Sequence, residues 1–202
     1  MKLMYSPGAC SIGIHVLLEE IGKPYEAQLV NLREGGQFKP EFTSVNPKSK
    51  VPTLVRDDGS VLTEYPAIAY WLARTNPDKK LLPDDADAQA RVLEALDYAV
   101  STVHMQGFSR LFRAANYTPN PADEDKVKER GKELVEKGVT FLSEPEAALR
   151  GRGDAARPLR QHDQPGAAPR RRPGLGGVLV TRFALAQRPP SDSAPVVAFP
   201  SV

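Results

Sequence analysis

One cysteine occurs in 202 residues, Cys10, in the stretch "SPGACS", behind the Pro7-Gly8 turn and just ahead of a segment with helical spacing. A lone cysteine is more often an inert buried hydrophobe than a nucleophile. Its position argues the other way. The unpaired N–H groups and the dipole of a helix N-terminus stabilise a thiolate, lowering a pKa that starts at about 8.5. Cys10 is therefore expected to ionise more readily than free cysteine. A dithiol oxidoreductase needs a second cysteine to resolve its mixed disulfide, and "CSIG" offers none. Sulfur chemistry here needs a thiol from outside, and glutathione is the abundant small one.

The elements that must hold this thiol can be traced along the chain. "KLMYS" (2–6) is short, apolar and closed by a Pro-Gly turn, which predicts a strand. In "CSIGIHVLLEEIG" the residues Ile12, Val16, Leu17 and Ile21 recur at helical spacing, with Glu19 and Glu20 outward and Gly22 as the stop. "YEAQLVNL" (25–32) reads as a second strand, so the first thirty residues imply a parallel crossover. After a short linking helix, "VPTLVRDDGSVLTE" places Asp57-Asp58-Gly59 between two β-rich runs, a hairpin signal. "YPAIAYWLART" (65–75) returns to helical spacing through Ile68, Trp71 and Leu72. A compact α/β unit thus occupies 1–78. Two long amphipathic segments, the second opening with acidic residues, then predict a helical domain over 86–150.

Charge and composition separate the remainder from this body. Residues 151–202 hold 8 Arg against 3 Asp, whereas 1–150 hold 19 Lys+Arg against 22 Asp+Glu. The same 52 residues contain 8 Pro and 6 Gly and show no helical period, in "RGRGDAARPLRQHDQPGAAPRRRPGLGG" for example. Their Pro, Arg, Ala and Gly are residues of GC-rich codons, which suggests a stretch out of frame or poorly ordered. The cluster Arg170–Arg172 lacks the interleaved aromatics of a nucleic-acid surface, so no nucleic-acid partner is expected. No apolar run reaches the roughly 18–20 residues of a membrane span, no secretory layout opens the chain, and one cysteine makes no internal disulfide. A cytoplasmic protein without membrane contact is expected.

Four ordered stretches, "MKLMYSPGACS", "VNPKSKVPTLVRDDGSVLTE", "PAIAYWLA" and "VHMQGFSRLFR", resemble the cysteine-bearing beta-class glutathione S-transferases of bacteria over about residues 1–145. The resemblance implies a thioredoxin-like N-terminal domain followed by an all-helical C-terminal domain, and a homodimer. It implies that Val51-Pro52 is a cis-proline turn whose Val51 main chain pairs with a peptide-like ligand. Glu64 and Tyr65 then hold the γ-glutamyl end of glutathione at a helix start, where Pro66 suits the first turn. Lys50 offers a cation for a carboxylate, Ser11 supports the thiolate, and Tyr5 matches the family's N-terminal tyrosine. His104 matches a histidine that faces the bound thiol from the helical domain. Cys10 and His104 are thus the catalytic candidates, and His15 reads as structural.

Three departures stand out. Tyr65 replaces a small or hydroxyl residue, Ser49 sits where Gly is common, and Met105-Gln106 stands where some members have a single Lys. The implied activity is transfer of glutathione to small hydrophobic electrophiles, with disulfide exchange through Cys10 as an associated role. Glutathione is co-substrate; no metal and no resident cofactor are expected. The alternatives are a non-catalytic glutathione-fold binding protein and an inactive out-of-frame product.

Overall fold

The computed structural model describes residues 1–143; the expectations for 151–202 and for the end of the helical segment lie outside the described residues. The first half is a four-stranded sheet built from β1 (Lys2–Tyr5), β2 (Glu26–Leu29), β3 (Thr53–Val55) and β4 (Val61–Thr63). Its order is β2-β1-β3-β4, with β1 and β2 parallel and the other two pairings antiparallel. The parallel pair follows from the crossover helix α1 (Ser11–Ile21), and the antiparallel pair from the Asp57–Gly59 hairpin.

Successive residues of a strand point to opposite faces, and both faces of β1 are covered. Leu3 enters the larger core, with Leu54 and the inner sides of α1 and α3 (Tyr65–Arg74). Met4 enters a smaller one, with Val30, Val51 and Phe42 of the short helix α2 (Pro40–Thr43). Helices thus sandwich the sheet. The inner stripe of α1 is Ser11, Gly13, Ile14, Leu17, Leu18 and Ile21, while Ile12 and Val16 are only half-buried. The helix is therefore rotated relative to the apolar spacing read from sequence, because α3 packs against the side marked by the small residues Ser11 and Gly13. Gly22 ends α1 in the left-handed region at φ 71°, its N–H bonded to the Leu18 carbonyl, as its position predicts.

The second half is helical: α4 (Ala86–Tyr98), a π-helical segment Ala99–Phe108, α5 (Ser109–Phe112) and α6 (Glu124–Ser143). Asp85 caps α4, its carboxylate accepting from the Ala88 N–H at 2.8 Å. Glycines set the crossing with α6. A Cβ on Gly138 would stand 2.4 Å from Val103 Cγ2, and one on Gly107 would stand 2.6 Å from Val135 Cγ2. The buried cluster containing Leu3 and Leu54 runs on through Leu72, Leu81 and Val92 to Leu96, Val103 and Leu142. One continuous core thus joins the two halves, an α/β unit of thioredoxin type followed by helices. Among the described residues no helix is long and apolar enough to cross a membrane.

Candidate active site

Cys10 stands at the N-cap of α1, half-buried, with its thiol 3.5 Å from the Val51 carbonyl, to which the S–H donates. Val51-Pro52 is cis, as the resemblance implied. The main-chain N–H groups of Cys10 and Ser11 face the sulfur, and the Lys50 cation assists them. Those contributions were the basis for expecting easy ionisation, and the structure reverses the outcome. Burial dominates, and the Glu64 carboxylate adds to it, so the Cys10 thiol is pushed up from 9.0 to about 11. Cys10 is thus a protonated hydrogen-bond donor at neutral pH.

The loop carrying Val51 is built on a residue that the sequence did not single out. Asn46, 2% exposed, donates from Nδ2 to the Lys50 carbonyl at 2.8 Å and to Thr53 Oγ1 at 2.8 Å. Its Oδ1 accepts from the Lys48 N–H at 3.1 Å, and its own carbonyl accepts from the Ser49 N–H at 3.1 Å. The only signal available was an Asn before a Pro in "VNPK", which marks a turn without saying what it holds. Ser49 has φ 56°, in the left-handed region where glycine is least strained, which accounts for the usual Gly at this place.

Glu64 lies across from this loop at the N-cap of α3, with φ 68° and an exposed carboxylate. Lys48 Nζ donates to Glu64 Oε1 at 2.9 Å and to Thr63 Oγ1 at 3.0 Å. Lys48 is the second residue the sequence reading missed. Both partners are more than half exposed, so the pair contributes little to stability. It does set an anion and a cation side by side at the mouth of α3.

The remaining candidates divide. The Ser11 side chain is fully buried, its hydroxyl accepting from the Ser6 N–H and donating to the Ser6 carbonyl, each at 3.1 Å. It fastens the end of β1 to α1, and only its main-chain N–H serves the sulfur. The Tyr65 side chain is turned into the core against Gly13, where burial raises its phenol far above the ordinary range. Only its main chain remains at the start of α3. The Tyr5 ring packs edge-on against His15 at 5.0 Å, and His15 against Tyr25 at 5.6 Å. His104 lies in the π-helical segment, half-buried, with its ring 6.5 Å from that of Phe108. The structure thus gathers Cys10, Lys50, Val51, Pro52 and Glu64, and turns the side chains of Ser11 and Tyr65 inward.

Comparison with known proteins places this arrangement. The chain is 38% identical over 149 residues to the glutathione S-transferase GstA of Escherichia coli O157:H7, covering 71% of this chain and 69% of that protein. It belongs to the glutathione S-transferase family. The family's N-terminal domain matches residues 8–75 of the chain, a span that holds Cys10, the cis proline and Glu64. Among solved structures, a sphingomonad glutathione S-transferase complexed with glutathione is 37% identical, with TM-score 0.60 over 73% of this chain and 70% of that one. The bacterial beta-class enzyme of Sphingomonas chungbukensis is 34% identical, with TM-score 0.58 over 71% and 68%. The class the sequence resembled is thus the class its fold matches.

Proposed function

We propose that the chain conjugates glutathione to small hydrophobic electrophiles. The observation that carries this reading is the single edge on which the Val51 main chain, the Cys10 thiol and the Lys48–Glu64 pair lie together. An extended tripeptide spans about 10 Å. Along that edge its γ-glutamyl ammonium and carboxylate meet Glu64 and Lys48, and its central peptide pairs with Val51. Its terminal carboxylate faces the exposed Lys50. The main-chain N–H of Tyr65, at the start of α3, adds a donor for the γ-glutamyl carboxylate.

The ligand's sulfur then lies beside the N–H groups at the mouth of α1, where its thiolate is stabilised. That thiolate attacks the electrophilic carbon, and its electron pair makes the new C–S bond. The leaving group departs with the electrons of the broken bond, and the glutathione proton passes to solvent. The Cys10 thiol, held protonated, and the His104 side chain act around the sulfur as hydrogen-bonding groups. Relatives solved with bound glutathione support the co-substrate.

A second activity shares the site. In the presence of a glutathione mixed disulfide, the Cys10 thiolate attacks the glutathione sulfur and displaces the other thiolate, leaving Cys10 joined to glutathione until a second glutathione releases it. Its raised pKa makes this slow at neutral pH. We assign the protein to detoxification in the cytoplasm as a homodimer, the assembly that the family resemblance implies.

The test combines retention on immobilised glutathione with turnover of a chlorinated aromatic. Retention with turnover supports the transferase, and retention without turnover supports a binding protein instead. In Cys10→Ala, conjugation should persist while disulfide exchange is lost.

A further inference from the structure

The helix that runs from α4 through the π-helical segment into α5 changes its hydrogen-bond spacing beside His104. The Ser109 N–H reaches the His104 carbonyl, five residues back, whereas the Arg113 N–H reaches the Ser109 carbonyl, four residues back, at 2.9 Å. Between those two bonds stand the carbonyls of Met105, Gln106, Gly107 and Phe108, but only the N–H groups of Arg110, Leu111 and Phe112. One carbonyl is surplus, as it must be wherever a π turn closes into an α turn.

Two side chains meet the ladder at this junction. The Tyr117 hydroxyl lies 3.2 Å from the Met105 carbonyl and 2.9 Å from Ser109 Oγ, in hydrogen-bond reach of both. The Arg110 guanidinium donates to the Gln106 carbonyl at 2.8 Å and to Gln106 Oε1 at 3.0 Å. They are also joined to each other, with the guanidinium 4.4 Å above the Tyr117 ring.

The π segment is held against α6 at two places within it. Val103 is pressed against Gly138, and Gly107 against Gly131 and Val135, at distances that leave no space for an added Cβ. His104 and the Met105-Gln106 pair lie between these two contacts with α6. Each residue of an ordinary α-helix advances about 100° around the axis. Losing the π turn with the Gly107 side held would swing His104 by about that angle.

We propose that Arg110 and Tyr117 are positioning residues, which hold the π turn by bonding the carbonyls of Met105 and Gln106 where the ladder has one acceptor in surplus, and so fix the azimuth of His104. The proposal rests on the assignment of His104 to the transferase reaction. In the full chain, Tyr117→Phe removes only the hydroxyl and Arg110→Met keeps the aliphatic stem. The imidazole NMR signals of His104 should shift in both variants while those of His15 stay fixed. kcat for conjugation should fall by about 10- to 100-fold, as it does for small misplacements of a working group, with KM for glutathione unchanged.

A second variant reads the ladder directly. Deleting Gln106 removes the surplus carbonyl, so Tyr117→Phe should lower the unfolding midpoint of the full chain but not that of the deletion chain. Folded variants with unmoved His104 signals, or equal midpoint losses in both backgrounds, overturn the proposal. If conjugation is absent from the parent protein, shifted His104 signals still support the positioning role and only the functional assignment fails.

Discussion

Gly13 and Tyr65 are matched in size: a Cβ on Gly13 would stand 2.5 Å from the Tyr65 hydroxyl and 2.9 Å from the edge of its ring. The larger residue at the start of α3 fits because the facing residue of α1 has no side chain. Gly13 lies one turn past Cys10, and its N–H bonds the Cys10 carbonyl at 3.2 Å, so Tyr65 fills the space beneath the same turn that carries the thiol. This accommodates the departure at Tyr65 without disturbing the main chain at Glu64.

Size matching implies coupled substitutions. Gly13→Ala should destabilise the fold by about 1–3 kcal/mol through overpacking. Tyr65→Ser alone should cost about 3 kcal/mol through the cavity it leaves. In the double variant the two losses should sum to more than the measured cost, because the serine relieves the clash. Urea unfolding of the four proteins measures the coupling, and strictly additive losses would show that the contact does not limit the site.

The ionisation of Cys10 can be measured cleanly, because no other cysteine is present. Its alkylation by iodoacetamide should rise with a midpoint near about 11. The raised folded-state pKa means the native protein holds its thiol proton more tightly than the unfolded chain. The stability this contributes is full below the ordinary pKa of 9.0 and is lost as pH climbs from there through about 11. Cys10→Ser should remove that part of the alkaline slope. A midpoint below 8 would return the site to the thiolate that the helix position alone suggests.

Asn46 holds the ligand-facing loop from within. Asn46→Ala leaves the Lys50 carbonyl and the Thr53 hydroxyl without their amide donor, and should cost about 1–3 kcal/mol. Loosening of the Val51 loop should also raise KM for glutathione. An unaltered KM in a folded variant would show that the loop keeps its shape without the asparagine.

Glu64 separates stability from function. At φ 68° it occupies backbone space that favours glycine, and its carboxylate is exposed in a surface ion pair. Glu64→Gly should therefore stabilise the fold by about 0.5–1 kcal/mol, while raising KM for glutathione by about tenfold through loss of a charged contact. Thermal unfolding and steady-state kinetics on one preparation decide it. A variant that binds glutathione as well as the parent would remove Glu64 from the site.

The local elements were legible because they are written in short-range chemistry. The Pro7-Gly8 turn, the Gly22 stop and the Asp57–Gly59 hairpin each depend on the conformational range of a few adjacent residues. Crossover and hairpin then dictate the parallel and antiparallel pairings of the sheet. The inner face of α1 was less legible, since apolar spacing allows more than one stripe and the helix turned toward Ser11 and Gly13. The Met105-Gln106 pair was visible as a departure in "VHMQGF", but the π spacing around it and its contacts with α6, about thirty residues further on, were not.

By itself the sequence determined that a single thiol stands at the mouth of the first helix, and its family resemblance implied the Val51-Pro52 turn and Glu64 as companions. Only the tertiary structure decided the state of that thiol, the inward turn of Ser11 and Tyr65, and the pairing of Lys48 with Glu64. The physical reason is range. Turn and helix-start preferences act between neighbours along the chain, whereas desolvation and charge pairing depend on which distant segments are packed around a group.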